Sequence, residues 1–119
     1  MEAFNLNLPI YLQIIQKIKQ SIASGKSEPG SRVPSVRELA ATFSVNPNTM
    51  QRALSELERD GLVRTERTSG RYITENEELI GKLRIELAED FSKNFVSQME
   101  SLGFDKVSIK QILMKDGVI

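Results

Sequence analysis

Arg37, Asn48, Gln51 and Arg52 carry planar side chains with several hydrogen-bonding groups, suited to gripping a flat polar partner through two bonds at once. Arginine can reach guanine O6 and N7 in this way, or hold a phosphate, and asparagine and glutamine can pair with adenine. Their positions make them a set. Ser35 and Glu38 form an S-x-x-E capping box, which places Arg37 two residues inside a helix start. Asn46 and Pro47 mark a second start, because Asn caps well and Pro fits the first helical position. Phe43-Ser44-Val45 leaves room between them for one tight turn. A short helix, a tight turn and a second helix is the arrangement that lays a recognition helix in the major groove of DNA. Asn46 reads as a cap that also offers neighbouring N–H groups to a phosphate. Thr49 reads as a phosphate contact. Asn48, Gln51 and Arg52 are the base-reading candidates, in an order the spacing leaves open.

Periodicity marks the elements that must hold these residues. Ile10, Ile14, Ile18 and Ile22 fall four apart, with Leu12 and Ile15 widening the stripe, which predicts a helix from Pro9 to about Ser24. Glu28-Pro29-Gly30-Ser31 is a turn signal, and Pro34 keeps Val33 extended before the capped helix. That helix turns Val36, Leu39, Ala40 and Phe43 inward. The next, Pro47 to Asp60, buries Met50, Ala53, Leu54 and Leu57, and Gly61 ends it as a left-handed cap. Then the period changes. Leu62–Glu66 and Arg71–Thr74 read as two strands around the turn Arg67-Thr68-Ser69-Gly70. Three helices and a hairpin make a winged helix. Gly70 at the wing tip, flanked by Arg67 and Arg71, would let the backbone approach a minor groove closely, although a routine hairpin turn would also use a glycine there. Lys17, Lys19, Lys26, Arg32 and Arg64 add general attraction for phosphates.

Composition narrows the chemistry. With neither His nor Cys, the chain has no disulfide and lacks the usual zinc ligands and the commonest general base. No constellation of carboxylates, Lys or Ser suggests catalysis, so the expectation is a non-enzyme without metal or cofactor. No apolar run approaches the ~18–20 residues of a membrane span, and the lack of cysteine fits a reducing compartment, so no membrane partner and a cytoplasmic location are expected. The net charge of zero hides an asymmetry. Residues 1–74 hold ten Lys/Arg against seven Asp/Glu, and residues 75–119 hold six against nine. A front of +3 and a back of −3 suggest that only the front meets a polyanion.

Beyond Glu75, Leu79, Ile80, Leu83, Leu87, Phe91, Phe95, Val96, Met99 and Leu102 recur at steps of mostly three and four. One long helix is predicted, ended by Gly103, and then a short one from about Lys106 to Lys115. Asp105 caps the short helix and Gly117 stops it, and it buries Ile109, Ile112 and Leu113. The stripe Leu83, Leu87, Phe91, Phe95 and Met99 could line an effector pocket or form a helix–helix seam between protomers. A lone helix in so small a chain cannot bury it, which favours the seam. The fold expected is mostly α, of the α+β class. A winged helix-turn-helix DNA-binding domain over residues 1–74 is followed by a two-helix dimerisation tail over residues 75–119.

The run from Pro9 to Thr74 resembles the N-terminal domain of the GntR family of bacterial transcription regulators. The resemblance rests on PIYLQIIQKIKQSIASGK, PGSRVPSVRELAATFSVNPNTMQRALSELERDGLV and RTSGRYIT, which occur in the family's order. It implies that Arg37, the Arg of the P-S-x-R-E-L motif, contacts DNA. The short tail and the V-N-P-N-T start are similar to the YtrA subfamily, whose tail serves mainly for dimerisation. Larger members often carry an Arg where Pro47 stands, so their operator rules should not transfer. The resemblance further implies a homodimeric repressor of a transporter-type operon, bound to double-stranded DNA at a palindromic operator. A small-molecule effector, if one acts, would change the spacing or tilt of the two heads. A reading from another class is a winged-helix protein–protein adaptor without specific DNA binding, against which the arginine placement argues.

Overall fold

A computed structural model describes residues 7–115 and 117. The order is α1 (Ile10–Ser24), α2 (Val36–Phe43), α3 (Pro47–Arg59), β1 (Val63–Glu66), β2 (Gly70–Ile73), α4 (Glu77–Ser101) and α5 (Lys106–Lys115). This is a winged helix followed by two further helices. The chain forms two compact units, Met1–Arg84 and Ile85–Ile119, so the division falls inside α4. The opening turns of that helix belong to the first unit: Ile80 and Leu83 are buried, and Arg84 Nε donates to the Ala23 carbonyl at 2.9 Å. Among the described residues, no helix is long and apolar enough to cross a membrane.

The core of the first unit is organised on α3. Met50, Ala53, Leu54 and Leu57 are fully buried at i, i+3, i+4 and i+7, and α1, α2 and β1 all pack on this helix. Ile14 and Ile22 supply the buried face of α1. The expected stripe on α1 needs correction, because Ile10 and Leu12 remain 39% and 47% exposed. A row of residues four apart turns by about 40° per step, so Ile10 lies about 120° around the helix from Ile22. Ala23 joins the buried face instead.

Capping follows the sequence signals with one omission. Ser35 Oγ accepts from the Glu38 N–H at 3.1 Å, and the return bond from Glu38 to the Ser35 N–H is not made. Asn46 Oδ1 accepts from the Asn48 N–H at 2.7 Å, with Pro47 opening α3. Gly61, at φ 80°, lets the Leu62 N–H return to the Leu57 carbonyl at 3.0 Å. Thr74 and Asn76 form a further start signal: Thr74 Oγ1 accepts from Asn76 N–H, and Asn76 Oδ1 accepts from Leu79 N–H to cap α4. The turn between α2 and α3 is tight because Ser44 adopts the left-handed region, at φ 56°, and Val45 N–H returns to the Ala40 carbonyl at 2.9 Å.

The wing is antiparallel, pairing Val63 with Ile73, Arg64 with Tyr72, Thr65 with Arg71 and Glu66 with Gly70. It is not a free hairpin. The segment after the Pro29-Gly30 turn adds a third rung, with Arg32 opposite Tyr72. Val33 N–H donates to the Arg71 carbonyl at 2.8 Å, and Ile73 N–H donates to the Ser31 carbonyl at 2.9 Å. Arg71 Nε also donates to Glu58 Oε1 at 2.5 Å, tying β2 to α3. That bond holds the Glu58 carboxyl below its ordinary range, against the opposing effect of burial.

In the second unit, Gly103 ends α4 in the left-handed region, at φ 93°. Asp105 Oδ1 accepts from Ser108 N–H at 2.8 Å and caps α5. The backbone N–H of Ser108 keeps the Asp105 carboxyl below its ordinary range. Ile109 is buried, while Ile112 and Leu113 are only half-buried.

Two outcomes are expected from this packing. Ser44→Val should lower the unfolding free energy by about 1–2 kcal/mol, because a β-branched residue resists the left-handed region, whereas Ser44→Gly should not lower it; urea denaturation midpoints check both. A carboxylate with a depressed folded pKa stabilises above its unfolded value and loses that contribution as pH falls through the folded one. The stability gap between wild type and Glu58→Gln should therefore be widest above the ordinary value of 4.5 and close at lower pH. Partly exposed as it is, the pair should be worth about 1 kcal/mol at most; urea titrations of both proteins at pH 7 and pH 3 measure the gap.

Candidate nucleic-acid interface

The exposed side of α3 carries Asn48, Gln51, Arg52, Ser55 and Arg59, opposite its buried stripe, while Thr49 is half-buried. The side-chain oxygen of Asn46 is spent on the cap, leaving its neighbours' N–H groups at the positive end of the helix. Gln51 Nε2 donates to Ser55 Oγ at 3.1 Å along the same face. The Arg52 guanidinium lies over the Tyr11 ring of α1, 3.7 Å from its centroid. Stacking occupies the face of the cation and leaves its edge N–H donors for another partner. Tyr11 thus positions a candidate reader. Its place between two apolar residues in α1 was the one sequence signal for it.

The arginines separate into tied and untied groups. Arg59 pairs with Glu56, Arg64 with Glu66 and more distantly with Glu75, and Arg71 with Glu58. Arg64 also sits over the Tyr72 ring. Among the described residues, the side chains of Arg32, Arg37 and Arg67 have no ion-pair or hydrogen-bond partner. Arg37 is exposed near the start of α2, and Arg67 is exposed in the turn of the wing. Of the wing residues singled out from sequence, Arg67 is therefore available to a ligand, whereas Arg71 is committed to α3. Glu58, the residue that commits it, carries no local sequence signal, since the pair is thirteen positions apart.

Gly70 needs its lack of a side chain. The requirement comes from the backbone, since a φ of 114° is strained for any other residue; a Cβ placed there would meet Arg32 only at ordinary contact distance, 3.4 Å from Nη2 and 3.5 Å from Nε. The guanidinium of Arg32 therefore rests across the wing tip. The adjoining turn is braced by a hydrogen bond between Tyr72 Oη and Ser69 Oγ at 3.0 Å.

In the second unit, Phe91, Phe95, Val96, Ile109 and Leu113, with Lys106 and Lys110, line an open groove of about 570 Å3. Phe91 and Phe95 remain 46% and 36% exposed. Of the other residues in the sequence stripe, Leu83 and Leu87 are buried within the chain and Met99 is half-buried. Among the described residues, no group of three or more His, Cys, Asp or Glu is placed to hold a metal ion.

Comparison with known proteins agrees with this geometry. Residues 10–73 match the gntR family of bacterial regulatory proteins. The uncharacterized HTH-type transcriptional regulator YhcF of Bacillus subtilis is 43% identical over 103 residues, 87% of this chain and 85% of that protein. The HTH-type transcriptional repressor YtrA of the same organism is 52% identical over 68 residues, 57% of this chain and about half, 52%, of its own length. Among solved structures, a GntR family transcriptional regulator from Listeria monocytogenes superposes with a TM-score of 0.84 at 40% identity, covering 94% of this chain and 98% of that one. A family match across the whole winged helix, joined to near full-length likeness in sequence and fold, establishes that this chain belongs to the gntR family of bacterial regulatory proteins.

Proposed function

We propose that the protein is a dimeric, sequence-specific DNA-binding repressor of the YtrA-like type, acting on an inverted-repeat operator. The observation that carries this reading is the division of its arginines. Among the described residues Arg37 and Arg67 pair with no carboxylate, while Arg59, Arg64 and Arg71 are neutralised within the winged unit. A polyanion finds unpaired cations beside the donor-rich stripe of α3 and displaces no internal ion pair to reach them. In this reading Arg37, Asn48, Gln51 and Arg52 face base edges, and Asn46 and Thr49 face phosphates. Arg67 and Gly70 meet the adjoining groove. Arg71 acts through its bond to Glu58, as a brace for the wing.

Residues 1–74 would bind DNA and residues 75–119 would pair protomers, with Phe91 and Phe95 as the exposed centre of the seam and Met99 beside them, whereas Leu83 and Leu87, already buried within the chain, are spent on its own packing. Two heads side by side suit a palindromic site. Repression would follow from occupying promoter DNA. The similarity to the repressor YtrA supports the subfamily, and a transporter-type operon is the class of target that the subfamily suggests.

Selection of genomic fragments by the purified protein tests the whole reading, and an inverted repeat should emerge from the bound set. Arg37→Ala should relax that selected sequence and cost about 1–3 kcal/mol on the best site; an unchanged selected profile would remove Arg37 from base readout. Phe91→Asp should convert dimers to monomers in sedimentation equilibrium, because a desolvated carboxylate cannot be accommodated in an apolar seam. A variant that still sediments as a dimer would place the seam elsewhere.

A further inference from the structure

The wing has three strand segments, and their pairing decides where each arginine goes. Side chains alternate across a sheet. Val63 and Ile73 are paired and buried, so the next pair, Arg64 and Tyr72, and the pair Glu66 and Gly70 share the opposite, outer face. Arg32 stands opposite Tyr72 in the third segment and shares that face. Gly70, two residues from Tyr72, is the empty position on it, and the Arg32 guanidinium lies against that position at contact distance.

The other wing cations are differently disposed. Arg64 bonds Glu66 and covers Tyr72, and Arg71 points to Glu58. Arg67 lies in the turn, where the backbone carries no ladder bond of its own. Arg32 alone among these combines an unpaired guanidinium with a backbone held on both sides, by Val33 N–H to Arg71 and Ile73 N–H to Ser31. The main chain that aims this arginine is fixed before any ligand arrives, so only the side chain remains to be ordered when it enters a confined site.

We propose that Arg32, laid across Gly70, is the specificity-determining side chain of the wing: it enters the minor groove beside the major-groove contacts and favours a narrow, A·T-rich groove there. The inference rests on the DNA-binding reading above and adds to it a residue outside the helix-turn-helix. A narrow minor groove concentrates negative potential, and a guanidinium loses its hydration more readily than an ammonium on entering it.

The test uses the full chain and one selected duplex prepared in three forms, whose wing-facing base pairs are A·T, G·C or I·C. Inosine removes the guanine amino group from the minor groove and leaves the major-groove edge unchanged. Wild type should bind the A·T and I·C forms alike, about tenfold more tightly than the G·C form. Arg32→Ala should compress that difference to about twofold, chiefly by weakening the first two. Arg32→Lys should restore general affinity but only part of the discrimination. Thermal melts of both exposed-site variants confirm that the fold is intact. Discrimination unchanged in Arg32→Ala overturns the proposal. So does a uniform loss on all three duplexes with a salt slope reduced by about one, which marks a phosphate contact. Wild type that binds no duplex fails differently, by removing the DNA-binding reading itself.

Discussion

The first unit depends on the two-sidedness of α3. One face of this helix is sealed by α1, α2 and β1, and a change such as Leu57→Ala would cost about 2–5 kcal/mol in lost burial and cavity. The opposite face is thereby released from structural work. Asn48, Gln51 and Ser55 can be chosen for what they bind, since their contribution to the core is nil. The same packing sets the direction in which that face looks, because a helix held by three elements along its buried face has little freedom to roll. Readout and stability are carried by one element but by separate residues.

Electrostatics repeats this division of labour. A winged head rich in arginine has to avoid spending all its cations on internal pairs and also avoid leaving every long side chain loose. Glu56, Glu58 and Glu66 hold the arginines whose geometry serves the fold. Tyr11 holds Arg52 through its π face, restraining the cation without neutralising it. The asymmetry of charge between the two halves of the chain is therefore only a coarse description. What distinguishes the winged unit is which cations are left unneutralised and how firmly their backbones are held.

Much of this is legible in the sequence because it is local. The caps at Ser35, Asn46 and Asp105, the stripe on α3 and the glycine after it depend on neighbours within one or two turns. The features that sequence reasoning misses depend on partners distant in the chain. Arg71 reads as a ligand for DNA from its place beside Gly70, and its bond to Glu58 forms only when β2 is laid against α3. Arg32 reads as one scattered surface charge, because the strand that aims it is a single isolated rung with no hydrophobic alternation to announce it. Ile10 reads as part of a continuous stripe because a four-residue repeat resembles a straight row, although it winds around the helix, and Leu12 reads as widening that same row.

The third rung also gives the stretch after Pro29 a different standing from its neighbours. Surface loops ordinarily accept extra residues at small cost. Here residues 31–33 keep strand register with β2, and the capped start of α2 follows within three positions. One inserted residue would exchange the two faces of the rung, turning Val33 out of the core and the guanidinium of Arg32 inward. Length in this segment should consequently be more rigidly inherited than composition. On that account a regulator of this build could change the side chain at position 32, and with it the flank it prefers, without changing the number of residues between Pro29 and the start of α2.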